Sequence, residues 1–153
     1  EIHERLVGSE MCIRDSGIYP LWVVVEVLSF DQISMMYRNL SKSDRAAIAR
    51  EFYSIPSREY IENWIHCSVV ARNIAAHGAR FYHRKRVNPP AKLPKEINEY
   101  GTKPFGYVYA LYQLLPQNER FTFASCIQVC FAEHPSAKPS ELGFPSNWHE
   151  LIK

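Results

Sequence analysis

The sequence lacks the features that mark several common protein classes. Its longest apolar run, from Leu21 to Leu28, is interrupted by Glu26 and falls far short of the roughly 18 residues that cross a bilayer. It shows no secretory signal peptide, and its four cysteines include no CxxC pair. A Gly-rich phosphate loop, a dinucleotide fingerprint and a serine-nucleophile elbow are also missing. These absences argue against a membrane protein, an oxidising compartment and a nucleotide-binding enzyme, and they predict a cytoplasmic protein.

Acidic residues are missing from one continuous part of the chain. From Asn63 to Lys95 there is no Asp or Glu, although this stretch carries seven of the 18 basic residues. The rest of the chain has 11 basic and 16 acidic residues, a balance of −5, whereas the whole chain is at +2. A locally positive face on a mildly acidic body favours a polyanion as ligand. A solvated charged loop from Arg84 to Lys95 is the alternative.

The first 17 residues do not share the patterning of the rest. They have no consistent periodicity, and LVGSEMCIRDSG within them resembles translated adapter sequence. We therefore expect residues 1–17 to be a non-native leader. Residues 18–153 are expected to be a C-terminal domain whose natural N-terminal part is missing.

The remaining sequence has the apolar spacing of α-helices. Positions 21, 24, 25, 28, 35 and 36 are apolar at close to helical spacing, with a strand as the alternative for the valine run. Ser41–Asp44 and Ser57 offer N-caps, and Pro56 ends a helix. The predicted helices are, in order, Leu21–Asn39, Ala46–Tyr53, Arg58 to about Arg86, Phe105–Leu115 and Glu119–Glu133. They predict an all-α fold, a bundle of four or five helices.

Two segments outside these helices have distinct expected roles. Pro89–Pro104 is rich in proline and charge and shows no core pattern, so it is expected to be a connection. Gly143–Trp148 is expected to be a turn that docks Phe144 and Trp148 on the bundle.

The long central helix carries an apolar and a polar stripe when it is drawn at 3.6 residues per turn. Trp64, Cys67 and Phe81 belong to the apolar stripe, which predicts a largely buried helix. The polar stripe consists of Glu62, His66, Asn73, His77, Arg80 and Arg84. Polar groups on a buried helix cost free energy unless they are paired or open into a cleft. The stripe therefore predicts a functional site on this helix.

Arg72, Asn73 and His77 have the side chains that metal-free RNA cleavage requires. The 2′-OH of RNA is an internal nucleophile, so an imidazole such as that of His77 has only to move protons near neutral pH. Arg72 offers a planar, permanently charged fork to the scissile phosphate. Asn73 lies one turn before His77 and is expected to orient it or to bind the phosphate. Packing or salt-bridge roles for the Arg and the His are the alternative.

The residues that follow are expected to hold the RNA strand. Phe81 and Tyr82 would stack on unpaired bases. The flanking phosphates are assigned to four cations, Arg80, Arg84, Lys85 and Arg86.

The segment WIHCSVVARNIAAHGARFYHR (Trp64–Arg84) resembles a sequence block of the Abi-like family of abortive infection proteins, which belongs to the HEPN superfamily. Two further segments resemble the family in matching order, YPLWVVVEVLSFDQISMMYRNL (Tyr19–Leu40) and LGFPSNW (Leu142–Trp148). The likeness therefore extends from Tyr19 to Trp148.

The resemblance implies a HEPN-like helical domain and a metal-independent endoribonuclease of a phage-defence or toxin-type system, without a cofactor. Arg72 and His77 match the catalytic pair, and Asn73 matches its polar companion. RNase members pair two motifs across a dimer, so RNA and a second copy are the expected partners, and a toxin would add an antitoxin or regulator. The second His of the family is Gly78 here, and His83 is the candidate to replace it. A non-catalytic RNA-binding module and a helical dimerisation domain are the alternatives.

Three further signals are assigned supporting or structural roles. Cys126, Cys130 and His134 have the spacing of three metal ligands on one helix face, but neighbouring phenylalanines favour core packing. His66 is expected to make a core hydrogen bond. Glu26 is expected to pair with Arg72 or another basic residue inside the bundle and so to support the site.

Overall fold

The computed structural model describes residues 21–53 and 58–153, so the predictions for residues 1–17 and for Ser57 lie outside the described residues. Every regular element in these ranges is helical, which confirms the all-α class. In chain order they are α1 (Leu21–Val27), α2 (Phe30–Asn39), α3 (Lys42–Tyr53), α4 (Arg58–Ala76), the 3-10 helix η1 (Lys95–Thr102), α5 (Pro104–Leu114), α6 (Gln117–Glu133), the 3-10 helix η2 (Pro139–Leu142) and α7 (Trp148–Leu151). None of these helices is long and apolar enough to cross a membrane.

Serine caps set the helix boundaries in the first third of the chain. The prediction of one helix over Leu21–Asn39 is wrong, because the chain breaks before α2. The Ser29 N–H donates to Gln32 Oε1 at 2.7 Å, and the Gln32 N–H donates to Ser29 Oγ at 3.3 Å. This reciprocal pair is a capping box that starts a new helix. The predicted cap on α3 is confirmed, since the Asp44 N–H donates to Ser41 Oγ at 3.1 Å.

The described residues divide into two compact units after Ile33, and the second unit, which begins at Ser34, contains an aromatic core around α5. Phe105 is fully inaccessible, and its ring centroid lies 5.0 Å from that of Phe144. Phe144 in turn lies 5.3 Å from Trp148, and both are buried. The predicted docking of these two tail aromatics is confirmed. Full burial of a side chain of this size stabilises the fold by roughly 1.5–3 kcal/mol.

A charged network joins α4 to the preceding helices. Glu62 on α4 accepts from Arg45 Nη1 at 2.5 Å and lies 3.7 Å from Arg38 Nε. Glu62 therefore belongs to the packing of α2, α3 and α4 and not to a ligand site. Beside it, burial raises the pKa of the Tyr37 hydroxyl, so this phenol stays neutral.

The segment 87–94, here called the strap, runs back along α4 without regular secondary structure. The prediction that Pro89–Pro104 has no core pattern is wrong, because Ala91 and Leu93 are buried, as is Ile97 in η1. The Val87 N–H donates to Thr102 O and the Ala91 N–H donates to Gly101 O, each at 2.8 Å. A Cβ on Gly101 would lie 2.3 Å from Ala91 O, so the close approach of the strap requires glycine there.

Side chains of α4 bind the backbone of the strap. Asn63 Oδ1 accepts the Lys92 N–H at 2.6 Å, and Asn63 Nδ2 donates to Pro90 O at 3.1 Å. Trp64 Nε1 donates to Lys92 O at 2.7 Å. From the other side, the Tyr107 hydroxyl of α5 donates to Pro89 O at 2.9 Å. Polar atoms of an irregular segment are thus paired without water.

Replacing Asn63 should loosen the strap. Asn63→Ala removes a donor and an acceptor together, so we expect the free energy of unfolding in urea to fall by about 1–3 kcal/mol. Asn63→Asp keeps the acceptor for the Lys92 N–H and should lose less. His66→Ala, at an exposed position on the same helix, is the control and should change the midpoint little. An Asn63→Ala midpoint equal to that of the control would contradict the assigned role.

The described cysteines differ sharply in exposure. Cys67 is fully buried, and burial raises the pKa of its thiol to about 12. Cys126 and Cys130 are exposed on α6, so the expectation that they pack in the core is wrong. Ala124 is the one buried residue of α6, and the other residues of this helix are half-buried or exposed.

Thiol labelling should reproduce this difference. A raised pKa keeps the Cys67 thiol protonated at pH 8, and the thiolate is the reactive form, so iodoacetamide should label Cys126 and Cys130 and leave Cys67 unmodified. Peptide mapping by mass spectrometry measures the modification of each cysteine. Labelling in urea is the control, since all thiols are then accessible. Labelling of Cys67 in the native protein at the rate of Cys130 would contradict the structure.

Candidate nucleic-acid site at the end of α4

Helix α4 ends at Ala76, ten residues before the predicted end near Arg86. Gly78 has a φ of +66°. Its N–H donates to Ala75 O at 3.1 Å, and the Ala79 N–H donates to Ile74 O at 2.9 Å. These two bonds form a Schellman motif with glycine at the left-handed position, the commonest way for a helix to end. The prediction of a continuous helix and of a polar stripe reaching Arg84 is therefore wrong.

The motif residues lie at this helix end. Arg72 is exposed and Asn73 is half-buried on the last full turns of α4, while His77 is exposed directly after the helix. Arg72 Nη1 donates to Asn73 Oδ1 at 3.1 Å. The His77 N–H donates to Asn73 O at 3.0 Å, so the helical hydrogen bonding extends to His77. The Arg72 guanidinium thus points toward the side-chain amide of Asn73, which lies one helical turn before His77.

Residues 79–86, here called the basic segment, are not helical. Arg80, Lys85 and Arg86 are exposed. The half-buried Arg84 donates from Nε to Arg80 O at 3.2 Å, so part of its fork binds its own segment. The chain then reverses, and the Cys67 thiol lies 4.0 Å from Pro89 O. Between the end of α4 and Pro89 the chain therefore returns along ten residues of α4, a length of about 15 Å.

Two predicted RNA-binding residues of the basic segment contact the C-terminal part of the chain. The Tyr82 hydroxyl donates to Ser136 O at 3.3 Å and accepts the Lys138 N–H at 3.2 Å. His83 Nδ1 lies 3.1 Å from Glu141 Oε2. These contacts join positions 54 to 58 residues apart in the sequence, so spacing could not predict them. Both side chains, which the sequence predicts to bind RNA, therefore have partners within the protein.

Three other sequence predictions have different outcomes. Phe81 lies against Tyr107 with ring centroids 6.4 Å apart, so it packs on the core and does not present a stacking face. His66 is exposed, so a core hydrogen bond is excluded. Glu26 is exposed on α1, which contradicts its placement inside the bundle, and its pairing with Arg72 stays a prediction.

An apolar groove of about 530 Å³ lies beside α5 and α6. Its walls include Phe81, Tyr107 and Phe144, and Cys126, Cys130 and His134 also line it. Within residues 21–53 and 58–153, no group of three His, Cys, Asp or Glu side chains could hold a metal ion. The spacing of the two cysteines and His134 therefore does not produce a three-ligand site.

Residues 34–153 thus form an all-α unit that carries an Arg-Asn-x3-His motif at the C-terminal end of α4. The profile of the family described as Abi-like protein matches residues 9–83, which include α1 to α4 and the motif. The chain belongs to the Abi-like protein family through this segment, and membership suggests a role in abortive infection. No curated protein and no solved structure matches the chain.

Replacing Gly78 should destabilise the end of α4 through the backbone alone. A Cβ built on Gly78 meets no atom within 4 Å, so the cost arises from its positive φ. We expect Gly78→Ala to lower the free energy of unfolding by about 1 kcal/mol, and Gly78→Asn to lower it less because Asn tolerates this conformation. Gly143→Ala is the comparison, since its Cβ would also lie 2.6 Å from Lys103 Cβ and should cost more. Urea midpoints measure all three, and equal losses for Ala and Asn at position 78 would contradict the cap.

Proposed function

We propose that this protein is a metal-independent endoribonuclease of an abortive infection system, with Arg72, Asn73 and His77 as its catalytic group. The observation that carries the proposal is the 3.1 Å bond from Arg72 Nη1 to Asn73 Oδ1, because it turns the guanidinium toward the face of His77. Arg72 and Asn73 are 100° apart around the helix by position alone. Helical spacing alone places Arg72 and Asn73 on different sides of α4, and the bond supports placing both side chains in one site.

The proposed reaction uses the RNA strand as its own nucleophile. His77 takes the proton from a 2′-OH, the 2′-oxygen bonds to the adjacent phosphorus, and the bond to the 5′-oxygen breaks. The products are a 2′,3′-cyclic phosphate and a 5′-hydroxyl, whose oxygen must receive a proton. Arg72 stabilises the charge that develops on the phosphate oxygens. In the expected homodimer, His77 of a second copy is available as the proton donor.

The basic segment supports RNA as the ligand. Arg80, Lys85 and Arg86 are exposed cations three to nine residues after His77 in the sequence, and no acidic residue occurs between Asn63 and Lys95. Each phosphate neutralised releases counterions, so the affinity for RNA should fall steeply with salt. The exposure of His77 and Arg72 leaves both side chains open to a strand.

The catalytic proposal is tested with single-stranded RNA in EDTA. We expect the wild type to cleave and His77→Ala to lower the rate roughly 100- to 10,000-fold, because proton transfer is lost. Arg72→Lys should remain well below the wild type, since a single ammonium does not replace a bidentate fork. His149→Ala and Arg50→Ala, at exposed positions outside the motif, are matched controls and should cleave normally. Product ends are identified by mass spectrometry.

Cleavage that requires a divalent metal, or that survives His77→Ala, would disprove this mechanism.

A non-catalytic RNA-binding module is the second candidate, and Gly78 favours it because glycine replaces the second His of the family and ends α4. That candidate predicts salt-sensitive RNA binding by the wild type without products. A purely structural domain would bind no RNA, and Arg72→Ala would then alter stability alone. An antitoxin or regulator would be found as a bound partner that suppresses the wild-type rate.

A further inference from the structure

Residues 134–142, here called the latch, hold the basic segment at two consecutive positions. The Tyr82 hydroxyl is bonded to the backbone of the latch on both sides, through Ser136 O and the Lys138 N–H. The next residue, His83, places Nδ1 3.1 Å from Glu141 Oε2. The Tyr82 and His83 rings also contact each other edge to face, with centroids 4.3 Å apart. The latch thus fixes the path of the chain directly after the motif.

The backbone of His83 adds to this observation. Its φ is +60°, and among the described residues it is the one non-glycine position with a positive φ. A non-glycine residue in this region costs free energy and persists when its surroundings hold it there. The neighbouring bonds of Tyr82 and the contact with Glu141 supply that constraint.

Glu141 brings a carboxylate to the basic segment. The stretch from Asn63 to Lys95 contains no carboxylate of its own, so the fold brings one from 58 residues away. The side chains of His83 and Glu141 are 68% and 45% exposed, so the contact is open to a competing anion. An ion pair at this exposure contributes little to stability, and a phosphate oxygen accepts the same imidazole hydrogen.

We propose that Glu141 is an autoinhibitory residue that occupies His83 and that an RNA phosphate displaces it. The inference rests on the proposed RNA-binding function and adds its regulation. The carboxylate takes the position of the phosphate in the free protein. When an RNA strand binds, a phosphate replaces the Glu141 carboxylate at His83 Nδ1, and Tyr82 stays bonded to the latch.

Charge removal at Glu141 tests the exchange. Glu141→Gln keeps the size of the side chain and should raise the affinity for single-stranded RNA roughly two- to fivefold, the range expected for an exposed pair. The slope of log affinity against log salt should steepen by up to about 0.7, because one more phosphate is contacted. Glu150→Gln removes the same charge from another exposed position and should change neither quantity. A lower affinity in Glu141→Gln would mean that the contact assists binding and would overturn the proposal.

A double-mutant cycle assigns the effect to the pair. In a His83→Gln background, Glu141→Gln should no longer raise the affinity, because no imidazole is left to release. An unchanged gain in that background would show a long-range charge effect and would also overturn the proposal.

A readout without RNA separates this proposal from the nuclease proposal. The imidazole signals of His83 are followed by NMR while inorganic pyrophosphate is added to the wild type and to Glu141→Gln. We expect a larger shift at lower pyrophosphate in Glu141→Gln. If the wild type binds RNA without cleaving it and this difference is seen, the nuclease proposal fails and the competition stands. Identical titrations would disprove the competition whatever the result with RNA.

Discussion

The bonding of the strap to α4 is the constraint on which the rest of the second unit depends. A segment without regular secondary structure has backbone groups that must find partners, and Asn63, Trp64 and Tyr107 provide them. Because these partners lie in the second turn of α4 and on α5, the chain has to turn back after α4 ends. That reversal brings Phe81 against Tyr107 and places Ala91 and Leu93 in the core around α5.

The sequence predicted the elements whose boundaries are marked locally. Pro116 separates α5 from α6 as expected, and the tail aromatics dock because a turn with Gly143 precedes them. The end of α4 was missed because Phe81 continues the apolar spacing beyond Gly78, although its burial arises from the loop that returns to Tyr107. The strap was missed because its buried residues, Val87, Ala91 and Leu93, follow neither a helical nor a strand period.

The candidate site was likewise predicted from the sequence only in part. The residue types of the motif, the helix that carries Arg72 and Asn73, and the family are readable from the sequence, and the family match confirms the last of these. The orientation of the Arg72 side chain and the contact of His83 with Glu141 depend on the folded chain. Glu141 carries no local signal of a role near the motif, because its relation to the basic segment exists only after α6 and the latch have packed.

The position of the motif at the C-terminal end of α4 has an electrostatic consequence. Aligned peptide dipoles give this end of a helix about half a negative charge, whereas anions are favoured at the opposite end. A phosphate drawn toward Arg72 and His77 would therefore approach against the field of the helix itself. The attraction would have to come from side chains, and part of the positive charge of the basic segment would be needed to offset the carbonyl ends. Each cation removed there would then weaken anion binding even where it makes no direct contact.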